Sequence, residues 1–157
     1  MIKKWKYIDS NNFKTTKDLL DFLKNKDYKV SYWIEDIYTN IKNKILILNK
    51  GFDLHRFKVS DLGFNQPTEL IKIYEKFQKL NFKPVPPFIA LLSRTIYDEQ
   101  PVGEWLRIAV PFESMIDSDG VPHLPKLGSA LNKLFIETYW AYPHAIFHPH
   151  NDFIVTK

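Results

Sequence analysis

The spacing of apolar and polar residues predicts short strands that alternate with helices along the chain. Apolar side chains at every second position, such as Trp5 and Tyr7, indicate a strand with one buried face. Residues 45–48, within the segment 43–49, are instead apolar without alternation, which is typical of a strand covered on both faces. Strands are predicted at residues 3–8, 29–38, 43–49, 52–59, 103–112 and 145–155.

Four segments carry apolar residues at intervals of three and four positions, the spacing of an amphipathic helix. Thr15 or Thr16 is placed to cap the first of these helices. In the last of them, Leu131, Leu134 and Phe135 share one face. Helices are predicted at residues 15–26, 67–80, 88–97 and 129–140.

These elements together predict an α+β fold in a single compact domain over residues 1–157. Some strands follow one another directly and others are separated by helices. We therefore expect a mostly antiparallel or mixed sheet of about five to six strands, with about four helices packed on it. The segment 49–51 is expected to form a tight turn, because Gly51 can adopt a positive φ. The pattern does not determine the strand order or the oligomeric state.

The composition narrows the class of protein and the chemistry open to it. Hydrophobic residues make up 45% of the chain and charged residues 25%, which argues against disorder. The absence of cysteine excludes disulfides, thiolate catalysis and thiolate metal sites. No stretch reaches 18 apolar residues, and the first residues contain no apolar signal segment. We therefore expect no contact with a membrane and a cytoplasmic location.

Positive charge is concentrated in the first third of the chain. Residues 1–58 hold 13 Lys and Arg against 7 Asp and Glu, whereas the whole chain has a net charge of only +4. Such an asymmetry favours an acidic partner or a phosphate backbone. Nucleic-acid binding through the basic N-terminal third is therefore one functional hypothesis. Against it, Lys3, Lys4 and Lys6 form the only tight cluster of lysines.

Histidines are concentrated near the C-terminus, where three of the five lie between residues 144 and 150. In a strand, His144, His148, His150 and Asp152 would point to one face. His144 and His148 would then lie roughly 13 Å apart, too far to share an ion, and Pro149 disfavours a helix that would bring them together. The predicted metal ligands are therefore His148, His150 and Asp152, and the competing interpretation is a solvated sheet edge.

A metal at this position would need further ligands from other parts of the fold. The histidines and carboxylates available for this role are His55, His123, Glu35, Asp36, Asp117 and Asp119. No cofactor is predicted beyond this optional divalent metal.

Aromatic residues are abundant, with 12 Phe, 8 Tyr and 4 Trp. Trp and Tyr residues at a surface often dominate the binding energy of an interface. The predicted partner-binding residues are Trp5, Tyr7, Trp33, Tyr38 and Trp105, and Trp140 is a further candidate.

No known catalytic motif, such as a P-loop or a nucleophile elbow, occurs in the chain. The sequence therefore favours a small bacterial or phage binding module that engages another macromolecule, most simply a protein, as an inhibitor, an immunity protein or a modulator. The alternative is a metal-dependent hydrolase or phosphodiesterase that uses His148 and His150. The sequence leaves open whether the chain is an enzyme.

Overall fold

A sheet of seven strands forms the centre of the molecule in the computed structural model, which describes residues 4–9, 13–41 and 51–157. Two further short strands pair in a second sheet. The strands are β1 (Lys4–Asp9), β2 (Lys29–Val30), β3 (Gly51–Lys58), β4 (Thr68–Glu69), β5 (Trp105–Ile108), β6 (His123–Ala130), β7 (Lys133–Trp140), β8 (Ile146–Phe147) and β9 (Asp152–Thr156). The strand predicted at 43–49 lies outside the described residues.

The seven strands lie in the order β1-β3-β9-β5-β6-β7-β2, and the second sheet pairs β4 with β8. Neighbours in the large sheet are antiparallel, except that β9 pairs with β5 and β7 with β2 in parallel. The predicted α+β class and mixed sheet are confirmed. The described part of the chain contains a few more strands than the five or six expected.

Four helices accompany the sheet, which is the number predicted. One of them lies in the segment predicted as the strand 29–38, whereas residues 129–140, predicted as a helix, belong to a β-hairpin. Thr15 caps the first helix, since its side chain accepts a hydrogen bond from the Asp18 amide at 3.0 Å. None of the helices in the described part of the chain has the length and apolar content needed to cross a lipid bilayer. The helices are α1 (Thr16–Asn25), α2 (Tyr32–Asn40), α3 (Leu70–Lys79) and α4 (Pro87–Leu92).

The register of the strands divides the large sheet into two faces. Leu54, Leu106, Leu127 and Ile136 are fully buried on the first face. Helix α2 packs against β7 on this side, and α1 contacts both α2 and α4. On this side the sheet therefore packs against a layer of helices.

The second face is covered over only part of its width. Phe57, Phe153, Arg107 and Lys126 lie in one row across β3, β9, β5 and β6, because each is the register partner of the next. Helix α3 covers the start of this row, where Phe77 packs edge-on against Phe57 with ring centroids 5.6 Å apart. Towards β6 and β7 the row continues with half-buried side chains that solvent reaches.

The buried Arg94 joins the segment after α4 to strands β6 and β7. Its guanidinium donates hydrogen bonds to the main-chain oxygens of Gly128 at 3.2 Å and Phe135 at 3.0 Å, which are cross-strand partners. It also donates to Gln100 Oε1 at 2.8 Å and to the Tyr97 main-chain oxygen at 2.6 Å. Burial lowers the pKa of Arg94 to about 10, so the side chain still carries its charge at neutral pH.

The helix predicted at 129–140 is wrong, because these residues belong to the hairpin of β6 and β7. Leu131 and Asn132 form its two-residue turn, with φ of 51° and 59°, and Ala130 pairs with Lys133. Both faces of β7 carry large side chains, so the strand shows no polar and apolar alternation along the sequence. The turn also lacks the glycine that usually marks a two-residue hairpin.

The strand predicted at 29–38 is also wrong beyond its first two residues. Only Lys29 and Val30 pair in the sheet, and α2 follows directly. Ser31 caps this helix, since its side chain accepts a hydrogen bond from the Ile34 amide at 3.3 Å. Aromatic and β-branched residues made the segment resemble a strand. Its helical spacing becomes evident only once Ser31 is assigned as the cap.

The hairpin turn generates a prediction about stability. Leu131 is 87% exposed and has a positive φ, a conformation that costs a residue of this type about 1–2 kcal/mol and that asparagine adopts more readily. We expect Leu131→Asn to raise the free energy of unfolding by about 1 kcal/mol, as measured by urea denaturation. Val102→Asn is the control, because Val102 is also exposed but lacks a positive φ. Equal stabilities of the two variants would contradict the prediction.

Candidate binding surfaces

The histidine-rich segment does not form the single extended strand that its sequence suggests. Strand β8 ends at Phe147, and a turn follows in which the Asn151 amide donates to the His148 main-chain oxygen at 2.9 Å. The Asn151 side chain accepts a hydrogen bond from the His148 amide at 2.8 Å. Because of this turn, the predicted row of side chains on one face is wrong. His144 lies apart from the other two histidines and pairs with Glu69.

The turn nevertheless brings two of the predicted metal ligands together. The rings of His148 and His150 stack, with centroids 5.8 Å apart and planes inclined by 13°. Asp152 is engaged elsewhere, since it pairs with Arg56 at 3.0 Å on the first face of the sheet. Within residues 4–9, 13–41 and 51–157, no group of three or more His, Asp or Glu side chains converges as metal ligands would. The metal site therefore stays a prediction.

The five predicted partner-binding residues occupy different parts of the fold. Tyr7 is 59% exposed on the edge strand β1, and Trp33 is 39% exposed at the start of α2. Trp5 and Trp105 are half-buried. Tyr38 is only 1% exposed, and its hydroxyl donates to the Pro87 main-chain oxygen at 2.5 Å. Tyr38 is thus a core residue that joins α2 to α4, and its assignment to a binding surface is corrected.

Exposed aromatic rings gather where α2 lies beside the ends of β6 and β7. Tyr32 and Trp33 contact each other edge-on with centroids 5.1 Å apart, and Trp33 stacks on His123 at 5.5 Å. His123 is the cross-strand partner of Trp140, so these two side chains point to the same face. Tyr32 is 70% exposed and Trp140 63%. We call Tyr32, Trp33 and Trp140 the edge cluster.

A buried polar chain supports the edge cluster from below. His123 Nε2 lies 2.7 Å from Asp117 Oδ2, and His123 Nδ1 lies 2.8 Å from Thr138 Oγ1. The second oxygen of Asp117 accepts hydrogen bonds from the amides of Asp119 and Val121 at 2.8 and 3.0 Å. Both nitrogens of the His123 ring are therefore engaged, which holds the ring in place under Trp33.

A second surface lies on the uncovered part of the second sheet face. Trp105 and Phe135 lie beside each other with ring centroids 6.2 Å apart. Lys126 Nζ lies 4.8 Å from the Trp105 ring and 5.6 Å from the Tyr139 ring, so the cation stands between the two. Arg107 lies over Tyr139 at 5.5 Å. We call this set, Trp105, Arg107, Lys126, Phe135 and Tyr139, the open sheet face.

The two cations of the open sheet face are incompletely neutralised. Burial lowers the pKa of Arg107 and of Lys126, because each charge has lost part of its hydration. Glu137 is the carboxylate paired with Lys126, at a distance of 3.9 Å. In the described part of the chain, the buried Arg107 Nε has no hydrogen-bond acceptor. This face therefore carries more positive than negative charge.

The basic N-terminal third offers less free charge than its composition suggests. Lys4 pairs with Asp53 at 2.9 Å and Lys6 with Glu99 at 2.5 Å. Further ion pairs within or to this region are Lys17 with Asp21, Lys24 with Glu35, and Arg56 with both Glu104 and Asp152. Three of these acidic partners, Glu99, Glu104 and Asp152, lie outside residues 1–58, so they offset part of the positive excess of that region.

An apolar groove with a volume of about 410 Å³ lies beside α3. Tyr74 and Phe112 form part of its wall, with ring centroids 4.4 Å apart, and Glu75 and Lys83 stand at its rim. Neither the histidine turn nor the predicted aromatic anchors line this groove.

In comparisons with family models, curated proteins and solved structures, nothing matched this chain.

Sequence reasoning identified some members of both surfaces and missed others. Trp33 and Trp140 of the edge cluster and Trp105 of the open sheet face were candidates. Lys126 and Tyr139 were missed, because assigning 129–140 to a helix concealed which residues face each other across β6 and β7. Assigning residues 133–140 to a strand would have placed Phe135, Glu137 and Tyr139 on one face.

The Asp117–His123 contact generates a prediction about pH. Burial opposes the charge of Asp117, but hydrogen bonds from His123 and two amides outweigh it and lower the pKa below its ordinary value of 3.8. A lowered pKa stabilises the fold above pH 3.8, and this stabilisation is lost as the pH falls through the lowered value. We therefore expect Asp117→Asn to have a melting temperature well below that of the wild type at pH 7. This gap in melting temperature narrows below pH 3.8.

Melting curves between pH 2 and pH 7 measure this gap. Asp119→Asn is the control, because it changes an exposed carboxylate of the same loop and should melt close to the wild type throughout. A gap for Asp117→Asn that stays constant across the pH range would show that its pKa is not lowered on folding.

The predicted metal site has its own test in melting curves with EDTA and then with Zn²⁺. A site that binds Zn²⁺ gains about 2.7 kcal/mol of stability at a metal concentration 100 times Kd. If His148 and His150 bind the metal, His150→Ala abolishes this gain and His144→Ala does not, because His144 lies apart from the pair. An unchanged melting temperature in the wild type contradicts the site.

Proposed function

We propose that the chain is a binding module that engages another protein through the edge cluster. The observation that carries the proposal is the exposure of three large rings in one place, where Tyr32 is 70%, Trp33 39% and Trp140 63% exposed. Trp and Tyr are the residues that most often dominate the energy of protein interfaces. A polar group at one end of each ring lets it stay in water until a partner covers it.

The edge cluster rests on a base that is already ordered. Trp33 stands in the first turn of a helix that Ser31 caps, and its ring lies on His123. The Ser118 side chain and amide both donate to Asp36, which joins α2 to the loop that carries Asp117. A partner therefore meets a Trp33 ring that has already lost much of its conformational freedom, which favours affinity.

The charges near the edge cluster favour a protein over a nucleic acid. The helix that carries Tyr32 and Trp33 also carries Asp36, and the loop beneath Trp33 carries Asp119, whereas Glu35 of the same helix is paired with Lys24. Carboxylates repel a phosphate backbone, whereas they can pair with basic residues at the rim of a protein partner. The inhibitor, immunity or modulator role and the cytoplasmic location stay predictions.

Two matched substitutions of exposed rings test the proposal. Trp140→Ser removes a ring of the edge cluster, and Tyr7→Ser removes a similarly exposed ring from β1, at the opposite end of the sheet. Wild type and both variants are used to capture proteins from cells that produce the chain, and mass spectrometry quantifies what each retains. The dissociation constant of the purified partner is then measured by calorimetry.

We expect a protein that the wild type and Tyr7→Ser retain and Trp140→Ser loses. In calorimetry, Trp140→Ser should weaken binding by about 2 kcal/mol, or roughly 30-fold in Kd, the typical loss at a dominant interface residue. Circular dichroism verifies that both variants are folded. Equal binding by Trp140→Ser and Tyr7→Ser contradicts the proposal.

A further inference from the structure

We propose that the open sheet face binds single-stranded nucleic acid, with bases stacking on its aromatic rings and phosphates pairing with Arg107 and Lys126. This surface is distinct from the edge cluster, because alternate residues of β7 point to opposite faces of the sheet. Tyr139 and Trp140 are neighbours in sequence and thus belong to different surfaces. The inference therefore goes beyond the proposed protein partner.

The first support is the arrangement of three aromatic rings on one side of the sheet. Trp105, Phe135 and Tyr139 come from two strands of an antiparallel region and point to the same side. Stacking on such rings tolerates any base, since every base has a flat π-face. Unpaired bases can reach such a platform, whereas bases inside a duplex are already stacked on one another.

The second support is the position of the cations among the rings. Lys126 Nζ lies within 6 Å of the Trp105 and Tyr139 ring centroids. The Arg107 guanidinium lies over Tyr139 and over the buried Phe147, at 5.5 and 5.6 Å. A phosphate that meets these cations places the adjoining base at a ring. The ligand must therefore be both anionic and aromatic, which is the chemistry of a nucleotide chain.

The third support is an excess of positive charge on this part of the protein. Among the described residues, the open sheet face carries two cations against the one carboxylate of Glu137, which lies 3.9 Å from Lys126. Anions that approach here would compensate for lost hydration of both cations.

Gly128 determines how the largest ring lies on this surface. A Cβ atom at this position would lie 2.0 Å from the Trp105 ring, so the ring rests flat across the glycine backbone. Any larger residue at 128 would lift Trp105 away from the sheet. The close approach keeps the Trp105 ring against the sheet, where a base can stack on its outer side.

Fluorescence anisotropy with labelled 15-nucleotide oligo-dT and oligo-U tests the proposal at several salt concentrations. Lys126→Gln removes a cation of the open sheet face, and Lys17→Gln removes an exposed cation from α1 on the other side of the sheet. Tyr139→Ser and Tyr7→Ser form a second matched pair. A 15-base-pair duplex and poly-glutamate of similar length serve as competing occupants, and Trp140→Ser shows whether the edge cluster takes part.

We expect Lys126→Gln and Tyr139→Ser each to weaken binding of the single strands by about tenfold, with no effect from Lys17→Gln, Tyr7→Ser or Trp140→Ser. Lys126→Gln should also reduce the slope of log K against log salt by about 0.7. Preference for oligo-U or oligo-dT identifies RNA or DNA as the source of the strand.

Three results would each overturn the inference. They are the absence of binding to both oligonucleotides at 50 mM salt, equal losses in the matched variants, and binding of the duplex or of poly-glutamate as tight as that of the single strands. Lys126→Gln leaves the rings in place, so it remains informative if Tyr139→Ser fails to fold.

Discussion

The fold depends on how the buried charge of Arg94 is satisfied. Taking a guanidinium out of water is unfavourable unless its donors find acceptors. Here the acceptors are main-chain oxygens of Gly128 and Phe135, the side chain of Gln100 and the Tyr97 carbonyl. Because two of them belong to paired residues of β6 and β7, the hairpin must be in register for the charge to be buried at all.

This constraint places the two candidate surfaces on opposite sides of one rigid hairpin. Gln100 strengthens the connection, since its amide donates to the main-chain oxygens of Glu104 and Leu127 and so links β5 to β6. On the first face, the hairpin carries His123 and Trp140, and on the second it carries Lys126 and Tyr139. One structural unit thus presents an aromatic, acid-flanked surface on one side and an aromatic, basic surface on the other.

The histidine-rich segment shows how local sequence can overstate a functional signal. Counting residues places four potential ligands in one row, but a turn closed by Asn151 interrupts the row. Only the stacked pair of His148 and His150 remains, while Asp152 compensates the charge of Arg56 and His144 pairs with Glu69. The partners of Asp152 and His144 come from segments far away in the sequence, which a local pattern does not contain.

Sequence alone determined the α+β class, α1, α3 and the region of α4, because amphipathic spacing and helix caps act within a few residues. It also located several of the exposed rings by residue type. Tertiary structure alone decided that 133–140 is a strand, since large side chains on both of its faces erase the alternation that marks a strand. Only register across β5, β6 and β7 decided which rings and cations meet, because those contacts join residues 13 to 32 positions apart.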